Sequence, residues 1–183
     1  MGRFNYMPDR IKRLEQKSDW IVQRCKLRSV FSGWGCISDL YIFENSPLYY
    51  RNQSARMGAA VKEMLVNIDS NVNYANYDKF DPQDIDSDGI RREPDGIVDF
   101  IFINFRFNNS RVIEFDSYTG YASLSGRSGY FANGQSEITL DGKRIMARTM
   151  GSGCIYEMNT PWDIGIPAHE FGEHYGYGAD IAK

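Results

Sequence analysis

Ala168-His169-Glu170-Phe171-Gly172-Glu173-His174-Tyr175-Gly176 holds both histidines of the chain, set around Glu170 and Glu173 and preceded by Pro167. Two imidazoles one helical turn apart, with a glutamate beside the first, are the parts of a zinc hydrolase of the His-Glu-x-x-His kind. The imidazoles hold the metal and the glutamate takes a proton from metal-bound water. The stretch therefore predicts a zinc site on a short helix, with His169 and His174 as ligands and Glu170 as general base.

The spacing is irregular. On a regular helix Glu173 lies roughly 40° round from His169, whereas His174 lies roughly 140° round, too far to share one ion. A single π-type bulge would bring His169 and His174 onto one face, and such bulges are frequent at functional sites. The resulting His-Glu-x-x-x-His spacing resembles the motif of the dipeptidyl peptidase III family. Alternatively the helix is regular and Glu173 is the second ligand. The bulge is preferred because imidazole suits zinc better than carboxylate does. A polar helix without metal is the third arrangement.

Upstream, Asp81-Pro82-Gln83-Asp84-Ile85-Asp86-Ser87-Asp88-Gly89 continues to Asp95-Gly96-Ile97-Val98-Asp99. Asp84, Asp86 and Asp88 stand at positions one, three and five of a calcium-loop pattern, Gly89 supplies the turn at six, and Asp95 falls at twelve. Alternating carboxylates that fold back on one hard ion predict a Ca2+ site on Asp84, Asp86, Asp88 and Asp95. Position twelve is Asp where Glu is usual, and Pro94 before it argues against the helix that follows an EF-hand loop.

Around these two stretches the pattern is that of an α+β domain. Met57, Val61, Met64, Leu65 and Ile68 share one face of a helix over residues 55–68. Ile97-Val98-Asp99-Phe100-Ile101-Phe102-Ile103-Asn104-Phe105 reads as a buried central strand. Val112–Phe115, Glu137–Leu140 and Arg144–Ala147 are further strand candidates, the last two joined by the hairpin signal Asp141-Gly142. Leu40–Phe43 is a short strand candidate, Glu44–Ser54 reads as loop, and 151–153 as a loop before the histidine helix. Ile11, Leu14, Ile21 and Cys25 fall near helical spacing and predict a helix from Pro8 to about Arg28.

At 183 residues the chain is long enough for one domain with a real core. No apolar run approaches eighteen residues, so the sequence contains no membrane span. Residues 1–28 carry eight Lys/Arg against three Asp/Glu, so of the net −3 the remainder holds −8. This basic arm alternates with apolar residues and no nucleic-acid motif follows, which excludes nucleic acid as the expected partner. Three cysteines, Cys25, Cys36 and Cys154, allow one intrachain pair at most. The beginning lacks the apolar core of a signal peptide. Asn52-Gln53-Ser54 and Asn108-Asn109-Ser110 match the glycosylation acceptor pattern.

Read together, the chain resembles the secreted metallopeptidases related to immune inhibitor A. The residues that carry the likeness are Asn73-Tyr74-Ala75-Asn76-Tyr77-Asp78-Lys79-Phe80-Asp81, the acidic run ending Asp95-Gly96-Ile97-Val98-Asp99-Phe100, the apolar strand after it, and Ala168-His169-Glu170-Phe171-Gly172. The family motif is His-Glu-x-x-His-x-x-Gly-x-x-Asp. Counted from His169, Gly176 is in register but Glu173 and Ala179 occupy the places of the second histidine and the aspartate. Counted with one inserted residue, His174 and Asp180 fall into place and the glycine is off by one.

The resemblance implies a zincin-like fold, with a mixed twisted sheet, packed helices and an active-site helix near the C-terminus. It implies zinc on His169 and His174 with Asp180 as third ligand, Glu170 as base, and hydrolysis of a protein or peptide substrate outside the cell. Residues 1–28 would be a basic helical arm at the end of a pro-segment, and 29–183 a catalytic domain truncated at its C-terminus. The competing expectation is a catalytically inactive calcium-binding module on the same scaffold.

Overall fold

The computed structural model describes residues 21–28, 35–37, 41–81, 83–105, 113–114 and 120–157, the first two segments as backbone. Its centre is β4, Ile101–Phe105, the second part of the strand predicted over 97–105; residues 98–100 are not strand and Ile97 makes an isolated bridge to Arg144. Ile101, Ile103 and Phe105 are buried while Phe102 and Asn104 are half-buried, so the period-2 alternation points one face fully into the core. The sheet order among the described residues is β2 (Gly35–Ile37), β1 (Ile21–Arg28), β4, β8 (Gly153–Glu157) and β5 (Gly120–Tyr121), with β3 (Tyr41–Ile42) also paired to β1. β4 runs parallel to β8 and antiparallel to β1, and β5 runs antiparallel to β8, so the sheet is mixed.

On the core face lies a helix, Met57–Ile68, which follows the shorter α1, Pro47–Arg51, and is α2. The residues read as its apolar face, Met57, Val61, Met64, Leu65 and Ile68, are all buried, together with Ala59 and Ala60. They join Ile101, Ile103, Phe105 and Ile155 in one core cluster. Full burial of a side chain such as Met64 or Leu65 contributes about 2–3 kcal/mol. No Ser, Thr, Asp or Asn caps α2; instead the Met57 amide donates to Oε1 of buried Glu114 at 3.2 Å, which supplies an acceptor to an amide at the start of the helix. A β-carbon on Gly58 would sit 2.0 Å from the Tyr130 carbonyl oxygen, so α2 meets the 125–131 loop at backbone distance.

The predicted hairpin is present as β6 (Glu137–Leu140) and β7 (Lys143–Met146). Leu140 pairs with Lys143 across Asp141 and Gly142, whose φ values of 50° and 73° are those a tight two-residue hairpin turn demands.

Four expectations are corrected. Residues 21–28, read as the end of a helix, form β1 and pair with three strands. The stretch also alternates Cys25 and Leu27 with Arg24, Lys26 and Arg28, and sheet pairing overrides a weak helical period. Residues 44–54, read as loop, include α1, begun by Pro47 and too short to show a period. Ile113 and Glu114, read as strand, occupy a helical turn. β8 was not anticipated beyond the loop at 151–153: Ser152 to Tyr156 are buried without alternation, which removes the period-2 signal. Residues 1–20 of the expected arm lie outside the described residues.

Candidate functional site

The segment 73–81 and the segment 95–99 are bound together by carboxylates that accept from backbone amides. Asp78 accepts from the amides of Asp95 and Gly96, each at 3.0 Å, and from Lys143 Nζ on β7 at 2.6 Å. Asp99 accepts from the amides of Lys79 and Phe80 at 3.1 Å, and its own amide donates to the Tyr77 carbonyl at 2.8 Å. Asp141 in the hairpin turn accepts from the Tyr74 amide at 2.8 Å. The Val98 amide donates to the Arg144 carbonyl and the Arg144 amide to the Gly96 carbonyl, each at 2.9 Å, which joins the 95–99 segment to β7. Through these contacts the Asn73–Asp81 stretch ties the acidic loop to the hairpin and to the start of β4.

Burial sets the electrostatics of this frame. Asp99 is pushed up to about 6, first by desolvation and further by Asp78 and Asp95, against the lowering effect of the Lys79 and Phe80 amides. Asp95 is also pushed up to about 6, chiefly by desolvation, with its Oδ1 accepting from the Ile97 amide at 2.7 Å. Both line a hollow shared with Phe80, Gln83, Ile97 and Met150.

Outside the frame the loop folds on itself. Asp84 and Ser87 adopt φ of 52° and 61°, and Gly89 84°. Asp84 Oδ1 accepts from the Gly89 amide at 3.0 Å, Asp86 Oδ1 from Asp88 at 3.3 Å, and Asp88 Oδ1 from Ile90 at 2.7 Å. Two groups of carboxylates result, each with one oxygen per residue within 4.8 Å of the others: Asp81, Asp84 and Asp86, and Asp86, Asp88 and Glu93. The carboxyl of Glu93 is raised by desolvation and by Asp88, Asp86, Asp81 and Asp84. Of the four residues read as calcium ligands, Asp84, Asp86 and Asp88 enter these groups and Asp95 enters neither.

Asp81 and Glu93 are the members that sequence reading missed. Asp81 lies three residues ahead of the loop pattern and Glu93 at a position within it that the pattern does not assign. The signal available was proximity alone. An all-oxygen donor set of this kind suits a hard cation.

The predicted zinc residues His169, His174, Asp180 and Glu173 and the base Glu170 lie outside the described residues, as does the acceptor pattern at 108–110. Asn52 of the other acceptor pattern is exposed at the end of α1. Among the described residues no helix is long and apolar enough to cross a membrane.

No curated protein and no solved structure matches the chain. The description "Immune inhibitor A peptidase M6, catalytic domain" matches residues 41–180, a span that runs from β3 through the frame, the acidic loop and β8 to the stretch holding both histidines. The chain belongs to the immune inhibitor A peptidases of family M6, and its domain is that of a metallopeptidase.

Proposed function

We propose that the chain is the catalytic domain of a secreted, zinc-dependent endopeptidase, with a zincin-like arrangement in which the active-site helix follows β8. The observation that carries the reading is the family match over 41–180, which covers every residue assigned to the chemistry. His169 and His174 would hold the metal with Asp180, or with Glu173 in place of His174, and this nitrogen and oxygen donor set suits zinc. Bound zinc supplies Lewis-acid polarisation of the scissile carbonyl and an acidified water. Glu170 would act as the general base, taking up a proton and delivering it to the leaving amine. Calcium in the loop carrying Asp84, Asp86, Asp88 and Asp95 braces the frame beside β4 and takes no part in the chemistry.

Glu170→Gln tests the reading directly. The variant is expected to keep its zinc and to lose hydrolysis of an unfolded protein substrate by at least about 100-fold, the usual contribution of a positioned base. Unchanged hydrolysis removes Glu170 from the mechanism.

The displaced position of His174 favours one alternative, a calcium-binding module that has lost its zinc. That reading predicts no zinc retained after dialysis, and no change in melting temperature when His169 and His174 are both replaced by Ala.

A further inference from the structure

The loop between 81 and 90 contains a buried polar atom that its own hydrogen bonds leave over. Asp81 is only 2% exposed. Its Oδ2 accepts from the Ile85 amide at 2.6 Å, while its Oδ1 is buried with no hydrogen-bond partner among the described residues. A carboxylate oxygen withdrawn from water without a donor is costly, and native proteins resolve such atoms with a water, a proton or an ion. Here the carboxylate does not face apolar side chains alone. It shares a 4.8 Å neighbourhood with Asp84, half-buried, and Asp86, exposed. Three carboxylates that close repel one another unless a cation stands between them.

We infer that Asp81 is the buried anchor of a calcium site completed by Asp84 and Asp86, and that Asp95 is a member of the supporting frame and no ligand. The inference rests on the calcium reading proposed above and changes its ligand set. Calcium takes oxygens at about 2.3–2.6 Å, so oxygens of one sphere stand up to about 5 Å apart, and three carboxylates with an oxygen each within 4.8 Å of the others can share one such ion.

Asp95 has a different employment. Its Oδ1 accepts from the Ile97 amide and its own amide donates to Asp78, which holds it in the turn that precedes β4. The group formed by Asp86, Asp88 and Glu93 shares Asp86 but offers no buried oxygen lacking a partner, and it is not part of the site.

The site has a mechanical consequence. Gln83, between Asp81 and Asp84, donates from Nε2 to the Met150 carbonyl at 2.8 Å. The neighbouring Ser152 carbonyl accepts from the Ile101 amide where β4 and β8 begin to pair. A cation held by Asp81 and Asp84 therefore fixes the residue that ties the loop to the entrance of β8.

The test is isothermal titration of the whole chain with CaCl2, and separately MgCl2, after chelator treatment, for the parent, Asp81→Asn and Asp95→Asn. Expected are calcium uptake by the parent at millimolar concentration or below, at least about ten-fold weaker binding by Asp81→Asn, and a change of no more than about two-fold for Asp95→Asn. Parent-like binding by Asp81→Asn, or lost binding by Asp95→Asn, overturns the inference. If circular dichroism shows Asp81→Asn unfolded, Asp84→Asn takes its place, with a loss of about ten-fold supporting the site and unchanged binding overturning it. A parent that takes up no calcium overturns both the inference and the calcium part of the proposed function. Zinc content and hydrolysis, measured on the same preparation, decide the peptidase reading independently.

Discussion

Replacing Lys143 by Met tests whether the frame beneath the acidic loop depends on one buried charge pair. Lys143 Nζ stands 2.6 Å from Asp78 Oδ2, and the side chains are 26% and 0% exposed. At an effective dielectric of about 20 the attraction is about 6 kcal/mol before desolvation is subtracted. Met keeps the apolar stem and removes the charge, leaving a fully buried carboxylate with only the Asp95 and Gly96 amides as donors. Breaking a buried pair from one side costs about 3–5 kcal/mol, and the partial exposure of Lys143 puts this case near 3. In a chain of this size each kcal/mol lowers the melting temperature by about 2–4 °C, so a drop of about 6–12 °C is expected. Urea unfolding at pH 7 followed by far-ultraviolet circular dichroism gives the free energy. The double variant Asp78→Asn/Lys143→Met is expected to lose about 1–3 kcal/mol less than the sum of the single changes, because it removes the stranded charge. A loss below about 0.5 kcal/mol for Lys143→Met, or additivity in the cycle, would show that the pair does not hold the frame.

Two further outcomes concern the sheet and the acidic frame. Gly153 has φ of 148°, and a β-carbon there would stand 1.9 Å from the Ile101 carbonyl oxygen, so Gly153→Ala should disrupt the start of the β4–β8 pairing and cost more than about 3 kcal/mol in urea unfolding. Parent-like stability would mean that the strands separate there without penalty. Asp99, pushed up to about 6, binds its proton more tightly in the folded than in the unfolded chain, so its contribution favours folding at low pH and is lost as pH rises through about 4 to 6. With the carboxyl buried, Asp99→Asn should flatten the pH dependence of calcium-free stability between about pH 4 and 6 by roughly 1–3 kcal/mol. An unaltered pH profile would rule out that linkage.

The elements legible in the sequence were those whose signal is local. α2 shows its buried face through the spacing of Met57, Val61, Met64, Leu65 and Ile68, and β4 through a dense run of β-branched and aromatic residues. The β6–β7 hairpin is announced by Asp141-Gly142, residues that tolerate positive φ. The carboxylates of the acidic loop were equally visible as a group. Not legible were features whose partner is distant in the chain. Residues 21–28 are β1 because β2, β3 and β4 pair with them, and β8 is a buried inner strand because β4 and β5 flank it. Glu114 serves the end of a helix 57 residues away.

By itself, then, the sequence determined the family, the amphipathic helix, the central strand, the hairpin turn and the presence of a hard-oxygen loop, because periodicity, turn chemistry and residue type are properties of neighbours along the chain. Only the tertiary structure decided which carboxylates do what. Asp78 and Asp99 are consumed by backbone amides, Asp95 turns back on Ile97, and Asp81 is buried with one oxygen left over beside Asp84 and Asp86. Identical side chains acquire different roles because burial and the available donors, which depend on segments brought together by folding, set where each charge can be held.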